Sequence, residues 1–220
     1  MLSQASINYN IMEKRVLVKS IKDYLGLQDY KPIGVGAGSV SLSKGNSEII
    51  ISYSKFPDLF ILPPQINGYI SFPEVENILK PFYKDHNIGF QHYTIYKSSR
   101  RFEEMNNVKI YTPEDIQKVG GMLKTMVFDD ILPFFEEFKN LQKVHDYILS
   151  LDLDKLGHFL VGEVHLKIMV IKKLLNTDDW VQYSDEVIAF YKAESEGKYK
   201  HVFAPIYKFL PDLYEKLRSI

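Results

Sequence analysis

The sequence predicts an α+β fold: an N-terminal antiparallel sheet with helices, followed by an all-helical C-terminal half of antiparallel helix pairs. Three observations carry this. The short β-branched or alternating runs before residue 111 lie too close together for parallel crossovers, so they can only pair antiparallel. From Thr112 onward the apolar residues switch to a three–four spacing and no convincing strand follows. No Pro/Gly/Ser-rich linker divides the chain, so an α/β subdomain over 1–111 and a helical subdomain over 112–220 are expected to pack together.

The elements follow in order. Ile7, Ile11, Val18, Ile21 and Leu25 mark an amphipathic helix over 7–25, interleaved with Lys14, Arg15, Lys19 and Lys22 and stopped by Gly26. "SVSLS" alternates, "KGN" at 44–46 turns the chain, and "SEIIISYS" reads as a buried strand. "KFPD" turns again before the short apolar "LFIL", which Pro63-Pro64 ends because proline cannot donate to a ladder. Asn67-Gly68 predicts a tight turn before "YISF". Pro73 starts a helix, "PEVENILKPFY", with Val75, Ile78, Leu79 and Phe82 on one side. "HYTIY" at 92–96 and "VKIY" at 108–111 read as strands, joined by an exposed polar loop, "KSSRRFEEMNN".

"TPED" sets Thr112 as N-cap, Pro113 at N1 and Asp115 at N3, a variant of the capping box. Helices are predicted over 113–139, 141–150, 153–176, 178–194 and 197–218. Pro205 and Pro211 should kink or split the last of these. "VHLKIMVIKKLL" is apolar on most faces and is the expected central helix.

Composition narrows the function classes. The 220 residues suffice to bury a core without metal or disulfide staples. There is no cysteine, which excludes thiolate catalysis, Cys-ligated zinc, iron–sulfur clusters and disulfides, and suits a cytoplasmic setting. Net charge is −1, so the basic excess of a nucleic-acid binder is missing. Neither a secretory leader nor a run of apolar residues long enough to span a membrane is present.

Gly34, Gly36 and Gly38 crowd "GVGAGSV", but a dinucleotide loop needs glycine where Ser39 stands and a helix after it, and a Walker loop needs Gly-Lys-Ser/Thr. The stretch therefore reads first as a chain turn and second as a ligand-gripping loop. His158 and His165 share a face of one predicted helix, about two turns apart, too far for a shared metal without other ligands. Asp129-Asp130, Glu136-Glu137 and Asp178-Asp179 read as solvated helix charges. Lys97, Arg100 and Arg101 form the most plausible anion or acidic-partner contact, because adjacent guanidinium forks can grip a carboxylate. No catalytic residue, metal ligand or cofactor is assigned.

"ISFPEVENILKPFY" and "DDILPFFEEFKNLQKVHDYILS", in an α/β-then-helical layout, resemble small uncharacterised bacterial domains, some of immunity-protein type. The likeness covers residues 10–220 in layout and these two strings in detail. It implies action by binding a protein partner and supplies no catalytic motif. The reading is thus a soluble, cytoplasmic interaction protein, binding through Lys97, Arg100, Arg101 and the loop of Gly34, Gly36 and Gly38. The alternative is an enzyme or small-ligand binder at the junction of the halves, with His92 as a further candidate. Oligomeric state is left open.

Overall fold

A computed structural model describes residues 13–35 and 38–220. It is α+β: a five-stranded antiparallel sheet of order β1-β2-β3-β6-β7, then helices. The chain divides into two compact units, Met1–Tyr69 with Lys97–Glu136 and Ile70–Tyr96 with Glu137–Ile220.

In the first unit, α1 (Lys14–Leu25) buries Leu17, Val18, Ile21 and Leu25. It ends in a Schellman motif: Gly26 N–H donates to the Asp23 carbonyl and Leu27 N–H to that of Lys22, with Gly26 at φ 68°. The part of the predicted helix before Glu13 lies outside the described residues. Strands β1 (Lys31–Val35), β2 (Ser39–Lys44) and β3 (Ser47–Ser52) form a meander. Val40 opposes Ile51 and Leu42 opposes Ile49, and all four are fully buried, so one face of the hairpin is core. Gly45 takes φ 59° at the first loop position between β2 and β3, which explains a glycine in "KGN". β4 (Ser54–Lys55) and β5 (Phe60–Ile61) make a separate ribbon. Phe60 also exchanges 2.9 Å backbone bonds with Ile110. The predicted strand at 108–111 is reduced to that single bridge.

Two sequence expectations fail in β6 and β7. Asn67-Gly68 does not turn the chain but lies inside β6 (Gln65–Ile70). A Cβ on Gly68 would stand 2.6 Å from Ile131 Cγ2 and 3.0 Å from Phe135 Cε1, so glycine is there for close helix–strand approach. Residues 97–100, expected in an exposed loop, complete β7 (Ile95–Arg100), while 92–94 precede the strand. Ser99 inside β7 is 3% exposed.

The "TPED" capping box forms as predicted and opens a short 3₁₀ turn, Pro113–Ile116. α3 (Gln117–Thr125), a π-helical turn (Met126–Ile131) and α4 (Leu132–Glu137) then follow without a break. Pro133 lacks the N–H that would bond the Asp129 carbonyl, and its ring crowds that carbonyl, so the ladder widens just before it.

In the second unit, α2 (Pro73–Asp85) starts at its proline as expected. α5 (Leu141–Ser150) is capped by the Asn140 side chain, which accepts from Lys143 N–H at 3.0 Å. The single helix predicted over 153–176 is broken. α6 (Leu153–Leu156) ends at Gly157, and 159–161 run alongside 94–96. Tyr96 N–H donates to Phe159 carbonyl at 2.8 Å and Val161 N–H to Thr94 carbonyl at 3.0 Å. Gly162, at φ 76°, then turns the chain into α7 (Val164–Leu174). His158 and His165 therefore sit on different elements, not on one helical face.

Every residue from 166 to 172 is buried, as the apolar pattern of α7 predicts. Two of them are lysines. Lys167 Nζ lies 2.9 Å from Glu76 Oε1 and also donates to the Tyr93 carbonyl, while Thr94 Oγ1 donates to the same Glu76 oxygen at 2.6 Å. This network ties α2 to α7 inside the unit. Burial lowers the Lys167 pKa, and the Glu76 carboxylate opposes that fall. Lys172 reaches Asp179 at 2.5 Å, so Asp179 is engaged rather than merely solvated. α8 (Trp180–Glu196) and α9 (Lys200–Arg218) complete the unit. α9 is not split: it runs through Pro205 and Pro211, with Ile206, Phe209, Leu210, Leu213 and Leu217 buried along it. No helix among the described residues is long and apolar enough to cross a membrane.

Candidate functional site

The residues singled out from the sequence do not converge. Lys97 and Arg100 lie on β7, where alternation sends them to opposite faces. Arg100 pairs with Glu103 at 3.0 Å. Arg101 pairs with Asp130 at 2.5 Å, and Ser99 Oγ donates to the other oxygen of that carboxylate at 2.5 Å. Asp130, on the π-helical turn, is thus a structural anchor for the end of β7 and not a wet helix charge. Both guanidiniums already hold a carboxylate of their own chain. Gly34 lies in β1, Gly38 accepts a 2.7 Å bond from Tyr53 N–H, and Gly36 lies outside the described residues. β2, not a helix, follows the glycine stretch. His92 is exposed, and its carbonyl accepts from Ser71 Oγ at 2.7 Å.

A better-formed site lies beside that stretch. α1 and β1 enclose an open groove of about 560 Å³, lined by Arg15, Val18, Lys19, Lys22, Asp23, Pro32 and Ile33. Its construction follows from local rules. Arg15, Lys19 and Lys22 are spaced by four and three, so they form one stripe along α1. Val18 turns inward and supplies the floor, at 5% exposure. In β1 the register shifts between Pro32 and Gly34, so Ile33 occupies a bulge and stands 57% exposed.

The electrostatics are lopsided. Among the described residues Arg15, Lys19 and Lys22 have no carboxylate within ion-pair distance, although Asp23 follows Lys19 by four. Asp23 instead accepts from Gln28 Nε2 at 3.4 Å. The groove is a strip of apolar surface edged by positive charge that no carboxylate among the described residues pairs. β1 is also an outer strand of the sheet, but Pro32 has no N–H to offer and the bulge interrupts the ladder. Strand addition is therefore blunted, and the groove is suited to grip side chains.

The sequence shows Lys14, Arg15, Lys19 and Lys22 interleaved along the amphipathic helix but assigns them no binding role. The i, i+4, i+7 spacing of Arg15, Lys19 and Lys22, with Asp23 as the single acidic residue at helical spacing from them, was the available signal. The pairing of α1 with an exposed Ile33 could not be read from the chain. No protein-family model, no curated protein and no solved structure matches this chain.

Proposed function

We propose that the chain is an interaction protein that holds an acidic, apolar-bearing segment of a partner protein in the groove between α1 and β1. The carrying observation is three cations, Arg15, Lys19 and Lys22, that make no ion pair among the described residues and stand around the apolar surface of Val18, Pro32 and Ile33. Carboxylates placed beside such cations steer encounter and fix register, while burial of Ile33 supplies the apolar anchor. A nucleic acid would satisfy the charge but not the apolar strip, and the chain as a whole carries −1. The likeness to immunity-type domains points to the same kind of action, a protein that works by covering another.

The test is a fluorescence-anisotropy titration with two labelled peptides, one rich in Glu and Leu and one in which every Glu is Lys. The acidic peptide should bind at least about tenfold tighter and weaken as salt rises through the screening range. The double variant Lys19→Glu/Lys22→Glu should erase that preference, and Ile33→Asp should weaken the acidic peptide. Lys208→Glu, on the exposed face of α9, should change nothing. Equal binding of both peptides, or an undiminished preference in the double variant, would overturn the reading.

A further inference from the structure

The second unit contains a partly open cavity of about 160 Å³, lined by Leu79, Tyr83, Ile88, Phe90, Val161, Glu163 and Lys167 among others. That is close to the roughly 150 Å³ known to admit a benzene-sized molecule. Its apolar wall comes from α2 and the segment after it, and its polar wall from the start of α7. We propose that this cavity binds a small organic ammonium ion, a primary amine on a short apolar or aromatic body, with the Glu163 carboxylate as its counter-charge.

Charge balance points to a cation. The Lys167 ammonium is matched by Glu76 at 2.9 Å and further held by the Tyr93 carbonyl. Glu163 has no such match: it makes no ion pair among the described residues and accepts one hydrogen bond, from Tyr191 Oη at 2.7 Å. Counting Glu76, Lys167 and Glu163, the site carries one net negative charge. The Glu76 Oε2 is buried and has no hydrogen-bond partner among the described residues. Burial first, and then the Glu163 charge, raise the hydroxyl pKa of both Tyr83 and Tyr191 well above the ordinary tyrosine value. The N-terminus of α7 steadies the Glu163 charge but supplies no cation.

The walls fit the rest of such a ligand. Tyr83 and Phe90 meet edge to face with ring centroids 5.4 Å apart, a pair of π-surfaces next to the carboxylate. An ammonium ion is attracted both to a carboxylate and to aromatic faces, whereas a carboxylate ligand would be repelled by Glu163 and Glu76. Tyr83 is 5% exposed and lines the cavity, so its ring is part of the wall a ligand would meet. An inorganic cation would leave Leu79, Ile88 and Val161 without a partner.

Calorimetric titration at neutral pH with benzylamine, benzyl alcohol and benzoate tests the assignment. Benzylamine should bind saturably, and the alcohol and the acid at least about tenfold more weakly. Glu163→Gln should weaken benzylamine by about tenfold or more, with circular dichroism confirming its fold. Ile88→Phe, at a half-buried loop position, should block binding by filling the cavity even if the first variant does not fold. The groove variant Lys19→Glu/Lys22→Glu should bind benzylamine as the parent chain does. No saturable binding at millimolar amine, benzoate binding as tightly as benzylamine, or full affinity in either cavity variant would overturn the proposal.

Discussion

Asp115 shows how much one side chain can fix. Its Oδ2 accepts from the N–H groups of Tyr111 and Thr112, each at 2.9 Å, and its Oδ1 lies 2.5 Å from Lys118 Nζ. Partial burial pushes its pKa up, but Lys118 and the two N–H groups outweigh it and hold the carboxyl at about 2, below its ordinary 3.8. A depressed carboxylate stabilises the fold fully above its ordinary pKa and loses that contribution as pH falls toward the folded value. Asp115→Ala should therefore cost about 1–2 kcal/mol at pH 7, the usual range for a lost cap. Urea unfolding of the variant and parent should converge as pH falls from about 4 to about 2. A gap that stays constant would mean the carboxylate charge is not its source. This residue was legible in the sequence, because a capping box is written in four consecutive positions.

At the scale of an element, α3 carries two adjacent glycines with opposite roles. A Cβ on Gly120 would fall 2.1 Å from the Tyr24 ring of α1, whereas one on Gly121 would meet nothing within 4 Å. Gly120 lets two helices approach; Gly121 is only a weak helix former. Gly121→Ala should stabilise by about 0.5–1 kcal/mol, the helix-propensity difference. Gly120→Ala should destabilise by roughly 1–3 kcal/mol through overpacking. Thermal melts of the two single variants, moving in opposite directions, are the expected result; parallel shifts would mean Tyr24 swings away freely. The two glycines are indistinguishable in the sequence, since what separates them is a ring almost a hundred positions upstream.

For the molecule as a whole, acid stability is set by which titratable groups are buried. His145 is 7% exposed and neither ring nitrogen has a hydrogen-bond partner among the described residues. Burial, then the charge of Lys172, lowers its pKa below 6.5, with Asp146 and Asp179 opposing. His165 is lowered too, by burial, with the Glu163 charge opposing. A histidine with a depressed folded pKa takes up its proton more readily when unfolded, so stability falls as pH drops from about 6.5 toward the lowered value. Over that window His145 alone costs at most about 1.4 kcal/mol per pH unit. The urea midpoint should fall between pH 7 and pH 5, and His145→Leu should flatten that fall without leaving an orphaned polar atom. An unchanged slope in the variant would place the acid sensitivity elsewhere.

The sequence by itself determined the α+β class, the Gly26 stop, the Gly45 turn, the start of α2 at Pro73, the capping box and the buried run of α7. These are short-range features: a proline without an N–H, a glycine at positive φ or a run of apolar residues acts within a few positions of itself. Tertiary structure decided the rest. Asn67-Gly68 has the chemistry of a turn, yet β6 runs through it because Ile131 and Phe135 pack where a Cβ would be. Residues 159–161 keep helical spacing, yet they lie along 94–96 because backbone partners there satisfy them. The same holds for function: the α1 cations were visible one by one, but a bulge that exposes Ile33 beside them made the groove. Backbone preference is local, whereas close approach and charge matching depend on partners far along the chain.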